Sequence, residues 1–199
     1  MGRFASTRFQ LVGVLDGLEG TEIRACPPRG YPLETKLRDG TRVVVDAAFV
    51  APLLQKAVAE LDPSVSAHLV LCAGSFPKLA ATAPLIRPFD VAVSHLTGRG
   101  LRRLDVLVPF AAQAAPATDK WGAAGFSCRA HVLEERPRHL PVPAWISGLL
   151  RQSRAQALVF DYVGTPTTVL DEVGAVCDLP VLELGRLALD ALERTLDTL

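Results

Sequence analysis

Polar and apolar positions alternate from Tyr31 to Val45. Leu33, Thr35 and Leu37 precede Arg38-Asp39-Gly40, and Val43 and Val45 follow it, which predicts an antiparallel hairpin near 33–45 that turns at Asp-Gly. The period then changes. Val50, Leu53, Leu54, Ala57, Val58 and Leu61 recur at helical spacing and predict a helix over 47–61, capped by Asp46 and with Pro52 in its first turn. The run from His68 to Cys72 is short, continuous and bounded by Asp62-Pro63 and Gly74, the signature of a buried parallel strand. Further apolar runs at 105–110, 127–133, 157–161 and 180–184 read as strands, with helical segments near 113–123, 143–154, 167–176 and 185–197. Strands alternating with helices predict an α/β fold with mainly parallel sheets.

One strand end is echoed by another. Residues 67–77, Ala-His-Leu-Val-Leu-Cys-Ala-Gly-Ser-Phe-Pro, are answered by 157–166, Ala-Leu-Val-Phe-Asp-Tyr-Val-Gly-Thr-Pro. Each is an apolar strand, a turn with Gly, a Ser or Thr, and a Pro placed to open a helix. Read this way, two helix N-termini point their free N–H groups at two strand ends, where open α/β sheets bind ligands and where anions are favoured. Two lobes would then face one anion-binding cleft. The plainer alternative is that any strand-to-helix turn carries Gly, Ser and Pro.

Charge narrows the range of partners. Twenty-one basic residues balance 21 acidic ones over 199 residues, so no overall field favours nucleic acid or an anionic membrane, and the Arg99, Arg102 and Arg103 cluster reads as a solvated loop. The four cysteines, Cys26, Cys72, Cys128 and Cys177, form no CxxC pair and no Cys/His zinc spacing, so no metal is expected. The N-terminus has only the short apolar run Leu11 to Leu15, with neither a signal-peptide core nor a membrane span, which predicts a cytoplasmic chain with reduced thiols. Gly2 and Ser6 match a myristoylation pattern short enough to arise by chance, and it is set aside.

Several blocks together carry a resemblance. Gly13-Val-Leu-Asp-Gly-Leu18, the hairpin segment 31–45, and Leu71-Cys-Ala-Gly-Ser-Phe-Pro77 resemble the AroM family in content and order. Val106-Leu-Val-Pro109 with Gln113 and Trp121, Phe160-Asp-Tyr-Val-Gly164 and Asp178-Leu-Pro-Val181 extend the likeness, which covers 11–197. The family is similar in turn to the aspartate/glutamate racemase superfamily. That likeness implies two pseudo-symmetric α/β lobes with a site between them, no cofactor, and a thiol at each of two strand ends. Three features depart from the family pattern. The opening strand and Thr-Ile-Gly-Gln-Ser-Pro-Arg-type loop are not found, as if the first βα unit were missing. At the first strand end Leu-Cys-Thr-Gly has become Leu71-Cys-Ala-Gly74. At the second, Asp-Cys-Met-Gly-Tyr has become Asp161-Tyr-Val-Gly-Thr165, so only one of the two thiols remains.

The candidate catalytic residues are therefore Cys72, Tyr162 and Asp161, and the candidate substrate-binding residues are Ala73, Gly74, Ser75, Gly164 and Thr165. Cys72 is either a nucleophile or acid/base lowered by a helix dipole, or a packing thiol. Tyr162, with an ordinary phenol pKa near 10 against about 8.5 for a thiol, is a poor second base and a better hydrogen-bond donor. Asp161 is either a base or a carboxylate binding backbone N–H groups in its turn. Ser75 and Thr165 can serve a ligand carboxylate, cap helices, or do both. No chemistry is assigned to the other cysteines, and His68, His95, His131 and His139 read as surface or satisfied core residues. The lobes are expected as 1–98 plus 185–197, and 99–184, with Cys72 facing Tyr162. The resulting expectation is a protein that binds a small organic acid, either as a one-cysteine isomerase or lyase or as a non-catalytic binding relic. A homodimer is an open option, and neither nucleic acid nor membrane is a partner.

Overall fold

The Asp39-Gly40 turn closes where the alternation places it. Strands β1 (Pro32–Lys36) and β2 (Arg42–Asp46) pair antiparallel with Thr35 opposite Val43, and Gly40 takes φ +84°, a conformation that costs glycine little. The computed structural model describes Phe4, residues 7–24 and residues 28–199. Cys26, Gly2 and Ser6 lie outside the described residues. Among those described, no helix is long and apolar enough to cross a membrane, and no group of His, Cys, Asp and Glu residues is arranged to hold a metal.

The chain divides into two compact units, each with its own sheet structure. The first comprises Met1–Val70, Gly74–Ile86 and Leu189–Leu199, and the second Leu71–Ala73 and Arg87–Ala188. Along the chain the assignment changes at 70/71, 73/74, 86/87 and 188/189, so that residues 87–98 go with the second unit. The reason is apolar: Phe89, Ala92 and Leu96 of the helix over 88–98 are buried in the same cluster as Val106, Trp121 and Val159.

In the first unit, the short helix α1 (Gly20–Arg24) precedes the hairpin, and α2 (Ala47–Leu61) follows it. Asp46 caps α2 through Ala48 N at 2.7 Å and also accepts the N–H groups of Arg29 at 2.6 Å and Gly30 at 2.5 Å. The bond from Gly30 is the chief reason its carboxyl is held below the usual range. Pro52 lies in the second turn of α2 rather than the first. The strand predicted over 68–72 is only two residues long, β3 (His68–Leu69), paired parallel with an equally short β4 (Leu85–Ile86).

No helix opens at Pro77, so the echo is only half realised. The segment that was to be helical has its backbone satisfied by side chains. Gln55 holds both the N–H and the carbonyl of Ala80, at 2.9 and 3.0 Å, and Asp62 accepts from Thr82 N at 2.6 Å and Ala83 N at 2.9 Å. Asp62 also pairs with buried His68 at 3.0 Å. With donors taken in this way, an irregular path needs no intrahelical bonds.

The second unit is a four-stranded parallel sheet. Helix α3 (Pro88–Gly98) leads into β5 (Arg103–Val108), α4 (Ala114–Ala123), β6 (Ser127–Val132), α5 (Val142–Leu150), β7 (Ala157–Phe160), α6 (Thr167–Val176), β8 (Val181–Glu183) and α7 (Leu184–Leu196), of which Leu184–Ala188 belong to this unit and the rest to the first. The strand order is β6-β5-β7-β8. Alternate residues serve opposite faces. Leu104, Val106, Val108 and Val159 pack with Phe89, Trp121 and Phe126, whereas Leu107, Leu158 and Phe160 pack with Ile146, Leu170 and Val173.

A charged cluster interrupts the second face. Asp105 of β5 meets His131 Nε2 at 2.9 Å and accepts the Ser153 hydroxyl, while Ser153 Oγ takes Ala155 N at 2.9 Å. Here Asp105 stands between His131 and Ser153, so His131 does not activate the hydroxyl and the trio ties strands together instead. Burial pushes the Asp105 carboxyl up, but the hydrogen bonds from His131 and Ser153 outweigh it, and the carboxyl sits below its ordinary value. Its contribution to stability is thus present above the unfolded value near pH 4 and is lost as pH falls through the lower folded value. Asp105→Asn should cost about 1.5–3 kcal/mol at neutral pH and flatten the acid limb of stability below about pH 4. Urea midpoints measured from pH 7 to pH 3 check this, a residual slope remaining from the other carboxyls held below their usual range, Asp39, Asp46 and Asp62. An unchanged slope would rule out Asp105 as a source.

Candidate functional site at the carboxyl ends of β5 and β7

The chain leaves β5 for β6 on one side and returns to β7 on the other, so the sheet changes direction between β5 and β7. Connections diverge there, and open α/β sheets bind ligands beyond the strand carboxyl ends at such a point. Asp161 is the first residue past β7, and its N–H donates to Leu107 O of β5 at 2.9 Å.

The Asp161 carboxylate is engaged by side chains of α4. It is fully shielded from solvent and receives Lys120 Nζ on Oδ1 at 2.7 Å and Trp121 Nε1 on Oδ2 at 3.1 Å. The Lys120 ammonium, itself 5% exposed, also donates to Ala73 O at 2.9 Å and lies 4.7 Å from the centre of the Phe89 ring. Both ions are therefore partnered where water cannot reach them, as buried charges require. Cys72 and Ala73 are half-buried members of the second unit, and Ala73 packs against the core cluster that holds Trp121.

The β7 end continues into a loop that the structure fixes from below. Gly164 has φ +91° and donates its N–H to Glu183 Oε1 at 3.0 Å, while Glu183 Oε2 accepts Arg186 N at 2.6 Å at the start of α7. The Gly164 N–H, a candidate anion donor on sequence, is thereby already in use. Burial pushes the Tyr162 phenol up, the nearby Thr165 hydroxyl pulls the other way and the charge of Glu183 adds to the rise, leaving the phenol above its ordinary value. Thr165 Oγ1 is cut off from solvent and has no hydrogen-bond partner among the described residues. It stands just ahead of α6, which opens after Pro166.

Gly74 and Ser75 belong to the first unit and precede no helix. Gly74 is buried, and a Cβ there would come within 3.2 Å of Leu33 and Phe76, so close packing accounts for the missing side chain. Cys128 and Cys177 are half-buried thiols pushed up by burial, as inert packing cysteines are.

This chain matches the AroM family, described as AroM protein, over residues 4–196. It is a member of the AroM family. No curated protein matches it. Its fold is that of aspartate/glutamate racemase-like proteins. Arylmalonate decarboxylase, in a liganded double variant, is similar at TM-score 0.61 and 10% identity, with 74% of each chain covered. Maleate isomerase from Pseudomonas putida S16 follows at TM-score 0.57 and 17% identity, covering 74% of this chain and 72% of that one. An aspartate racemase homologue from Pyrococcus horikoshii OT3 gives TM-score 0.53 and 13% identity, with 73% of each chain covered.

Sequence reasoning missed Lys120 in this AroM-family chain. Its signal was nonetheless present: Ala114, Ala117, Trp121 and Ala124 form the inward stripe of α4, and Lys120, three residues after Ala117, lies on that stripe. A lysine there must find a buried partner.

Proposed function

We propose that this AroM-family protein binds a small organic acid at the carboxyl ends of β5 and β7 and that Cys72 acts on it as a lone acid/base thiol, in an isomerase or lyase reaction. The observation that carries the reading is the joining of the Cys72–Ala73 strand end to the β7 end through Lys120. The names of the similar proteins, maleate isomerase, arylmalonate decarboxylase and an aspartate racemase homologue, all point to carboxylate-bearing substrates. In this role the Cys72 thiolate takes a proton from substrate carbon and the resulting thiol gives it back at another position, or the thiol first supplies a proton and the thiolate then takes one back, so the residue ends in the form in which it began. Thr165 Oγ1, buried and unpaired, and the Tyr162 phenol, protonated at neutral pH, serve as donors to a substrate carboxylate. Because the phenol rises rather than falls, Tyr162 does not exchange roles with Cys72, and two-way racemisation of aspartate, glutamate or a hydantoin is not expected.

A panel of small mono- and dicarboxylates, followed by calorimetry and product analysis, tests this. A ligand should bind at or below millimolar concentration, Tyr162→Phe should weaken it about tenfold, and Cys72→Ala should abolish turnover while leaving binding in place. Binding without turnover in the unaltered protein would favour the non-catalytic relic. No binding across the panel, or turnover indifferent to Cys72→Ala, would overturn the proposal.

A further inference from the structure

We infer that Lys120 is a positioning residue for Cys72, an inference that rests on the reading of Cys72 as the working thiol. Residues 71–73 make a three-residue excursion. Val70 and Gly74 on either side belong to the first unit, whereas Leu71, Cys72 and Ala73 belong to the second. The β3 ladder ends at Leu69, and the last bond of that pairing is Val70 N to Ile86 O at 3.0 Å. Beyond it, the thiol rides on a backbone that no strand register fixes.

Lys120 ties this segment to α4 and to the β7 end. Its ammonium donates at once to Ala73 O, one residue from the thiol, and to Asp161 Oδ1, one residue past β7. The ammonium is itself held in place. It lies 4.7 Å from the Phe89 ring centre and 5.8 Å from that of Trp121, and Asp161 is fixed by Trp121 Nε1 on its other oxygen. Helix α4 and the β7 end therefore set the height of the Ala73 carbonyl, and with it the Cα position of Cys72. An ammonium has three donors, which lets one head group bridge two oxygens on separate segments. Asp161 then orients the lysine rather than the substrate.

The reactivity of the Cys72 thiol tests this without any substrate, so the result stands whether or not the catalytic reading does. Alkylation by iodoacetamide would be followed at each cysteine by peptide mass mapping across pH. Cys177 serves as the internal reference, because the groups around it, Leu179 O, Asp178 and Asp105, include neither Lys120 nor Asp161. In the charge-free variant Lys120→Met/Asp161→Asn, the high-pH alkylation rate of Cys72 should rise about fivefold or more, and its pH–rate profile should shift from that of the unaltered protein. Cys177 should stay within about twofold. Lys120→Arg retains the charge opposite Asp161, but its planar fork cannot take the same place between two oxygens, and it should shift the Cys72 profile in the same direction, by about threefold in rate. Circular dichroism identifies the variants that keep the fold. A folded member of the pair whose Cys72 rate and pH–rate profile match the unaltered protein would overturn the inference.

Discussion

Lys120→Met should lower the stability of this protein by about 3–5 kcal/mol, because it leaves the Asp161 carboxylate ionised and without its cation at a site shielded from water. The methionine side chain fills nearly the same space, so little of the loss comes from packing. The test lies in the second substitution. Adding Asp161→Asn removes the stranded charge, leaves an amide oxygen able to accept Trp121 Nε1 and should restore most of the stability, because a buried ion pair is worth little more than well-packed neutral groups. Urea denaturation of the two single variants and the double variant gives the coupling. If the effects of the single substitutions simply add, the ion pair is not what the structure depicts.

Trp121→Ala should cost a similar amount, about 3–5 kcal/mol, for a different reason. The indole is fully buried and packs edge-on between Phe89, at 4.9 Å between ring centres, and Phe126, at 5.5 Å. Removing it opens a cavity in the larger apolar cluster and withdraws a hydrogen bond from Asp161 Oδ2. Trp121→Phe separates the two losses. It retains most of the ring contacts and gives up the N–H, so it should cost about 1–3 kcal/mol. Thermal or urea unfolding measures both variants, and a phenylalanine variant as unstable as the alanine variant would mean the indole N–H, not the ring, dominates.

These two sites mark the limits of what the chain discloses in advance. The hairpin, the helix over 47–61 and the β/α alternation after residue 103 are legible because each rests on local periodicity or turn chemistry: Asp39-Gly40, the Asp46 cap and the apolar runs of β5 and β7. The region 74–98 is not. Pro77 resembles a helix start, but the Gln55 and Asp62 side chains, 25 and 20 residues away, take the backbone groups a helix would have used. The helix actually formed, α3, begins at Pro88 after a two-residue strand too short to leave a pattern. At the candidate site, Cys72, Asp161 and Tyr162 are visible as strand-end residues. What joins Cys72's neighbour to Asp161 is a lysine 41 residues from Asp161 along the chain, and no spacing rule couples such positions.

The assignment of Leu189–Leu199 to the unit that begins at Met1 bears on how the protein is made. Within the other unit, β5 precedes both strands it pairs with, so each crossover returns to a strand already synthesised. That unit has all its residues once Ala188 has emerged from the ribosome. The unit started first must wait for Leu189–Leu199, and Leu192, buried in the folded chain, is among the residues it lacks until then. Synthesis order and completion order are thus reversed, and the nascent first unit is the stretch most in need of protection from aggregation while translation continues.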